Sequence, residues 1–174
     1  MKEINVREIN ENPVSLISDG WGLLTAGNES GWNTMTVSWG GCGTLWGKPV
    51  ATVYVKPIRY THEYLEKNDY FTVSFLPLDY REDLFTLGTE SGRDGDKVAK
   101  TGLTPVAVGE HGESVGFQQA TVTLLCKKIY KQKLDTEAMP AEVVDQFYLN
   151  EEAHTMFVGE VVDILGEITE EIIL

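Results

Sequence analysis

Short strand-like runs, separated by glycine and proline, constrain the fold of this chain more than any other feature. Residues 33–39, 49–55 and 70–76 are rich in β-branched and aromatic side chains, and the first run alternates in character along its length. Pro57 and Pro77 end the second and third runs, because proline lacks a backbone donor. About six such runs follow one another without the long helical crossovers that parallel strands need. The pattern predicts an all-β fold, an antiparallel barrel or sandwich with short helices.

The segments between these runs lead to further expectations. Residues 117–130 and 156–165 are apolar enough to form two more long strands, and the glycine-rich segment 40–47 is expected to be a connector between strands. Thr61 is expected to be the N-cap of a short helix. The chain of 174 residues has no repeat and no linker-like segment, so we expect a single domain over residues 1–174.

Charge and composition exclude several classes of partner. The formal net charge is −13, and such a field repels nucleic acid and anionic lipid. The polar N-terminus lacks a signal core, and no run approaches the ~20 apolar residues of a spanning helix, so a cytoplasmic location is expected. His62, His111 and His154 are scattered, and Cys42 and Cys126 have no ligand spacing, so no metal site is expected.

Residues 32–61 hold an unusual concentration of planar and hydrogen-bonding side chains. These are Trp32, Asn33, Thr34, Thr36, Ser38, Trp39, Trp46, Arg59, Tyr60 and Thr61. The segment 41–46 nearly matches a dinucleotide-binding glycine motif, but a strand-like run follows it where that motif requires a helix. We interpret the concentration as a grip on a flat ligand with polar edges and an anionic tail.

A flavin has these properties. Its ring needs an aromatic or aliphatic face and hydrogen bonds at its edges, which Trp39 and residues 33–38 could supply. Its phosphate needs hydroxyls, a helix N-terminus and cations, which Arg59 and Thr61 could supply, with Arg93 and Lys97 closing from a later loop. The alternative is structural: Trp39 and Trp46 would be barrel core, and Arg59 and Lys97 would be solvated surface charges.

Several ordered motifs resemble one family. Residues 33–40 read NTMTVSWG, 46–51 WGKPVA, 56–61 KPIRYT, 70–75 YFTVSF, 91–105 SGRDGDKVAKTGLTP and 154–161 HTMFVGEV. Together they resemble the flavin reductase-like family, and its flavoredoxin branch most closely. The resemblance extends from about residue 21 to residue 165 and rests on the combination, since NTMT alone would be weak.

The resemblance implies a split β-barrel of Greek-key type that binds FMN, usually as a homodimer. By motif, it assigns Asn33, Thr34, Met35, Thr36 and Trp39 to the flavin and Arg59, Tyr60 and Thr61 to its phosphate. It also implies that Lys97 approaches the ring or the phosphate, and that Phe157 packs near the ring. His154 occupies a position where relatives that use nicotinamide carry a histidine near the flavin. On the residues alone, Phe157 could equally be core and His154 an edge histidine.

Three functional hypotheses remain open at this point. The first is an NAD(P)H:flavin oxidoreductase that uses NADH or NADPH, with His154 in a catalytic role. The second is a non-enzymatic FMN electron carrier that exchanges electrons with protein redox partners. The third is a β-barrel binding module without a cofactor, which predicts a colourless protein. In the first two, a cation near the flavin, Lys97 or Arg59, would raise the reduction potential.

Overall fold

The computed structural model describes residues 2–3 and 12–166, which form ten strands and four α-helices. The strands are β1 (Lys2–Glu3), β2 (Gly22–Asn28), β3 (Gly31–Val37), β4 (Gly40–Leu45), β5 (Lys48–Val55), β6 (Tyr70–Phe75), β7 (Pro105–Val108), β8 (Ser114–Phe117), β9 (Val122–Lys133) and β10 (Thr155–Gly166). The helices are α1 (Pro13–Ser18), α2 (Tyr60–Lys67), α3 (Arg81–Thr89) and α4 (Ala141–Phe147). The predominance of β structure is confirmed.

One antiparallel sheet contains most of the strands, in the order β3-β2-β6-β9-β10-β5-β4, with β1 paired to β10. β7 and β8 pair separately. Several neighbours in the sheet are distant in sequence, so the chain crosses over repeatedly, as the predicted Greek-key type requires. β3 and β4 are the two edge strands of this sheet and follow each other in the chain, with only Ser38 and Trp39 between them. They are not paired with each other, and we call this unpaired place the split of the barrel.

The core lies inside the curled sheet. Its fully buried members include Leu24 of β2, Val55 of β5, Phe71 of β6, Leu124 of β9 and Phe157 of β10. Strands from both halves of the sheet therefore face the same interior.

A second, smaller cluster lies between α3 and the barrel. Leu84 and Leu87 of α3 pack with Leu23 and Phe117. The hydroxyl of Thr36 donates to the Leu84 carbonyl and ties α3 to β3. The C-terminal end of α3 lies beside the N-terminal end of α2, where Arg59 donates to the Gly88 carbonyl.

Two expectations about strands were wrong. Residues 40–45 form β4, which pairs with β5 from Gly40 opposite Val53 to Leu45 opposite Lys48. The hairpin supplies the backbone partners, so low strand propensity does not prevent pairing.

Residues 117–130 are interrupted by a turn in which the Ala120 amide donates to the Phe117 carbonyl at 3.1 Å. The apolar pattern hid this turn because Phe117, Ala120 and Val122 are all buried.

Among the described residues, no helix has the length and apolar character needed to cross a membrane. Within the same residues, no group of three or more His, Cys, Asp or Glu side chains is placed to hold a metal ion.

Candidate functional site

The N-terminal end of α2 has no capping side chain. Pro57 ends the extended segment, and Arg59 occupies the N-cap position with extended φ/ψ of −73° and 135° and no side-chain cap. The expectation that Thr61 is the cap was wrong: Thr61 lies inside the first turn, and its side chain is buried. The first amides of a helix have no partner within the helix, so those of Tyr60 and Thr61 are available to an anion.

Asn33 connects three segments at this end of α2. Its Nδ2 donates to Thr61 Oγ1 at 2.7 Å and to the Thr34 carbonyl at 3.2 Å. On the other side it touches Gly92, where an added Cβ would lie 2.0 Å from Asn33 Oδ1. β3, α2 and the loop after α3 are thus held together by one amide side chain.

Two positively charged side chains donate hydrogen bonds to carbonyls at the C-terminal end of α3. Arg59 donates to the Gly88 carbonyl, and Lys97 Nζ donates to the carbonyls of Leu87 at 2.6 Å and Glu90 at 3.0 Å. Carbonyls at a helix C-terminus attract cations, which explains how Lys97 can be only 4 % exposed. Burial, and then the nearby charge of Arg59, lower the pKa of Lys97 to about 8, opposed by Glu90. Burial also lowers the pKa of Arg59.

These groups line a cavity of about 250 Å³, which we call the α2 cleft. Its lining residues are Asn33, Met35, Ile58, Arg59, Tyr60, Thr61, Thr89, Glu90, Ser91, Gly92, Arg93 and Lys97. Among them, the carboxylate of Glu90 is paired with Lys100 at 2.6 Å, and Arg93 is paired with Glu63 at 2.5 Å. Arg59 and Lys97 have no carboxylate partner among the described residues. The cleft is therefore positive although the chain carries −13 overall.

A second cavity, of about 270 Å³, lies at the split of the barrel, and we call it the Trp39 cleft. Its lining residues are Met35, Thr36, Val37, Ser38, Trp39, Tyr54, Lys56, Arg59 and His154. Met35 and Arg59 line both clefts, so the two adjoin. Trp39 is 42 % exposed and Trp46 is 67 % exposed. The alternative that they are barrel core is therefore wrong.

His154 forms one wall of the Trp39 cleft. Its ring centroid lies 5.0 Å from that of Trp39, and its Nδ1 lies 3.0 Å from the hydroxyl of Tyr148. Burial, followed by the charge of Lys56, lowers the pKa of His154 to about 4, while Glu151 opposes the shift. The imidazole is therefore neutral at pH 7.

Two of the predicted site residues line neither cleft. Thr34 Oγ1 is hydrogen-bonded to Thr25 Oγ1 at 2.9 Å and to the Leu24 carbonyl at 3.1 Å, so it fastens β3 to β2. Phe157 is fully buried in the barrel core, with its ring centroid 5.4 Å from that of His62. The other nine, Asn33, Met35, Thr36, Trp39, Arg59, Tyr60, Thr61, Lys97 and His154, line one or both clefts.

Sequence reasoning missed several lining residues. Gly92 and Ser91 stand in the 91–105 motif and Lys56 in the 56–61 motif, so the motifs contained a signal for them. No motif or pattern pointed to Tyr54, because it alternates with buried valines in β5 as an ordinary strand residue does. Tyr148, which contacts His154, follows α4 in a segment without a motif.

The two clefts fit the parts of a flavin mononucleotide. Open helix amides with Arg59 and Lys97 suit a phosphate, and the hydroxyl of Ser91 adds a donor. The exposed Trp39 face suits a flat ring, and the donors of Lys56, Arg59 and His154 suit its carbonyl oxygens.

Comparison with known proteins supports this fit. The protein-family model for the flavin reductase like domain matches residues 14–172 of this chain. The chain belongs to the flavin reductase-like family. Comparison with curated proteins finds no match.

Solved structures of similar fold include flavoredoxin of Desulfovibrio vulgaris (Miyazaki F), at 22% identity and TM-score 0.67, covering 97% of this chain and 78% of that one. An FMN-binding domain of a flavin reductases-like enzyme from Shewanella baltica OS155 has 18% identity and TM-score 0.66, with 94% and 75% coverage. An NADH:FAD oxidoreductase of Streptomyces globisporus C-1027 has 18% identity and TM-score 0.65, with 85% and 75% coverage. The family and the split-barrel fold are confirmed.

Proposed function

We propose that this flavin reductase-like protein binds FMN across the two clefts and acts as an NAD(P)H:flavin oxidoreductase. One observation carries the proposal: a positive cleft at an open helix N-terminus adjoins, through Arg59, an aromatic cleft at the split of the barrel. A monophosphate and a flat ring need these two environments side by side.

The residues have distinct roles in this proposal. Arg59, Lys97 and the amides of Tyr60 and Thr61 hold the phosphate, and Asn33 fixes Thr61 in place. Trp39 provides a face for the ring, and neutral His154 stands beside it as the catalytic candidate. Bound FMN accepts a hydride or electrons from one reactant and passes them to another.

Rapid mixing of the FMN-loaded protein with NADH or NADPH tests the enzymatic function. We expect the visible flavin absorbance to bleach rapidly with at least one nicotinamide, which would also identify the preferred reductant. If neither nicotinamide bleaches the flavin but a low-potential chemical donor does, the oxidoreductase is excluded. A colourless protein that does not take up added FMN would exclude flavin binding itself.

The alternative function is that of an FMN electron carrier reduced and oxidised by protein partners. Two observations favour it: a flavoredoxin is among the structural neighbours, and Trp39 is 42 % exposed beside the ring cleft. An exposed aromatic edge at the cofactor suits electron exchange with a docked protein. Reduction by a donor protein, but not by NADH or NADPH, distinguishes the carrier.

The same proposal includes a homodimer in the cytoplasm, with residues 1–174 as one domain and no nucleic acid or membrane as partner. An outer groove of about 540 Å³ crosses β4, β5 and β10 and is lined by apolar side chains that include Trp46, Val50, Tyr130 and Met156. Tyr54 lines both this groove and the Trp39 cleft, so a second copy seated in the groove would border the ring site. Sedimentation velocity of the full chain measures the oligomeric state.

Replacing Trp39 by Ala is expected to weaken FMN binding by about tenfold, since an aromatic contact contributes roughly 0.5–1.5 kcal/mol beyond the area that it buries. Titration of flavin fluorescence measures this. Phe85→Ala is the matched control, because Phe85 is an exposed aromatic residue that lines neither cleft nor the outer groove. Equal affinities for the Trp39 variant and the unmodified protein would remove Trp39 from the ring site.

FMN affinity is expected to fall as the pH rises from 7 to 9. Lys97 has a pKa of about 8 in the free protein and loses its charge over this range, whereas the phosphate of FMN, with a second pKa near ~6, stays dianionic. The expected loss between pH 7 and 9 is about fivefold if phosphate binding raises the Lys97 pKa by about one unit, and it approaches about tenfold at higher pH. Dissociation constants measured at several pH values test this.

The stability of the free protein should change in the opposite direction. The folded state releases the Lys97 proton near pH 8 and the unfolded chain only near 10.5, so the Lys97 contribution to stability rises with pH between these values. Lys97→Met should remove both pH dependences. If its FMN affinity still falls around pH 8, another group is responsible.

A further inference from the structure

Tyr148 and His154 form an isolated, buried hydrogen-bonded pair behind the Trp39 cleft. The Tyr148 hydroxyl lies 3.0 Å from His154 Nδ1, the ring centroids are 5.7 Å apart, and each residue is only 9 % exposed. Among the described residues, neither the hydroxyl nor the imidazole has another hydrogen-bond partner.

The direction of this hydrogen bond follows from acidity. A neutral imidazole nitrogen is a much stronger base than a phenol oxygen, as the ordinary histidine pKa near ~6.5 indicates. The phenol hydroxyl is also the more acidic donor. We therefore expect the Tyr148 hydroxyl to donate its proton to His154 Nδ1. The single proton of the neutral imidazole is then on Nε2.

The Nε2 atom opens toward the cleft. His154 lines the Trp39 cleft, Nδ1 is occupied by Tyr148, and Nε2 is neither bonded to a described residue nor among the buried polar atoms that lack a partner. Trp39 covers one side of the ring, at an interplanar angle of 43°. The imidazole is held between two aromatic rings with one edge free.

We propose that Tyr148 is a positioning residue that fixes His154 as the neutral Nε2–H tautomer, so that the histidine presents a donor to the Trp39 cleft. The charged and titratable groups around the ring agree with this. Lys56, which directly follows β5, is paired with Glu151, and Arg59 and Tyr54 line the same cleft. Because burial and Lys56 disfavour an imidazolium, the donor stays neutral over the working pH range.

This arrangement identifies what the cleft recognises, given the proposed flavin function. Lys56, Arg59 and an Nε2–H of His154 can only donate, the hydroxyls of Ser38 and Tyr54 can donate or accept, and no carboxylate is among the described lining residues. The cleft therefore favours an acceptor oxygen, such as a carbonyl or carboxamide oxygen on the flavin ring or on the reactant placed against it.

The tautomer can be measured directly. Long-range ¹H–¹⁵N spectra of the full-length, flavin-free protein, with His154→Gln used to assign the signals, should show a protonated Nε2 and an unprotonated Nδ1 at pH 7. In Tyr148→Phe we expect a mixture of tautomers and a His154 titration about one pH unit higher, since the neutral form loses one hydrogen bond. Tyr70→Phe, which removes a hydroxyl far from His154 in sequence and on another strand, should change neither.

Several outcomes would overturn the proposal. A proton on Nδ1 in the unmodified protein contradicts it, and this result does not depend on the stability of any variant. An unchanged tautomer in Tyr148→Phe assigns Tyr148 a packing role only. Because these spectra need no flavin, they decide the proposal even if the FMN titration shows that the proposed function is wrong.

A kinetic measurement completes the test in the FMN-loaded protein. Tyr148→Phe should slow flavin reduction severalfold while the dissociation constant of FMN changes less than about twofold. Loss of FMN affinity in parallel with the rate would instead indicate a collapsed cleft and contradict a positioning role.

Discussion

Replacing Arg59 by Gln is expected to weaken FMN binding by about a hundredfold, or roughly 3 kcal/mol, the largest loss for any single cation of the site. Among the described residues, Arg59 is the one charged side chain that lines both clefts. Its guanidinium is half-buried, donates to the Gly88 carbonyl and has no carboxylate partner in the described part of the chain. A bound phosphate would supply the missing counter-charge, and a partly desolvated charge pair is worth far more than an exposed one.

Arg93→Gln is the matched control. Arg93 lines the same α2 cleft, but its charge is already neutralised by Glu63 at 2.5 Å, and it also donates to the Ile58 carbonyl at 2.9 Å. We expect only a severalfold loss of FMN affinity. Isothermal titration at low and high salt measures both variants, and thermal unfolding of the free proteins separates affinity from stability. A similar loss in both variants would show that the cleft attracts phosphate by its general field, with no special role for Arg59.

Local features of the sequence predicted part of the division between the two clefts, but Asn33, which was assigned with Trp39 to the flavin, lines the α2 cleft and not the Trp39 cleft. Proline at position 57 ends β5 and must be followed by a new element, so Arg59 and Thr61 were placed correctly near a helix start. Trp39 follows an alternating strand and was expected to offer a flat face, and the structure leaves it 42 % exposed in the lining of the Trp39 cleft. Such inferences need only a few adjacent residues.

Contacts between distant residues were beyond this reasoning. Thr61 looked like a cap because threonine often is one, but Asn33, 28 positions earlier, binds its hydroxyl and draws it inside the helix. Lys97 was expected to approach either the ring or the phosphate, and the carbonyls of Leu87 and Glu90 hold it in the α2 cleft. Tertiary partners decided both positions, and a single sequence does not reveal them.

The alternation of β3 predicted its faces but not what covers them. Thr34 and Thr36 were grouped as one polar face for the ligand. Thr34 bonds to Thr25, which lies opposite it on the neighbouring strand β2, and α3 packs over the same face, where Thr36 donates to the Leu84 carbonyl. Hydroxyls on a strand can satisfy neighbouring carbonyls as readily as a ligand, and the sequence contains no sign of which occurs.

Replacing Gly92 by Ala is expected to disrupt the α2 cleft, lowering FMN affinity about tenfold and destabilising the fold by roughly 1–3 kcal/mol, the usual cost of overpacking. The added Cβ would lie 2.0 Å from Asn33 Oδ1 and 3.3 Å from Tyr60 Cδ1. Asn33 cannot withdraw without lengthening its 2.7 Å bond to Thr61, so either the loop or the start of α2 must move. Gly31→Ala is the control, since nothing lies within 4 Å of a Cβ at that position of the same strand as Asn33.

A double-mutant cycle identifies the clash as the cause. Asn33→Ala alone removes the bond to Thr61 and should cost about 1 kcal/mol of stability. In the double variant the alanine at position 92 no longer meets an amide, so the combined loss should be smaller than the sum of the single losses by at least ~1 kcal/mol. FMN affinity should stay low in the double variant, because Thr61 remains unsupported. If the two changes were additive in the free energy of unfolding, the 2.0 Å approach would not limit the loop, and Gly92 would be needed only for the backbone path of residues 91–95.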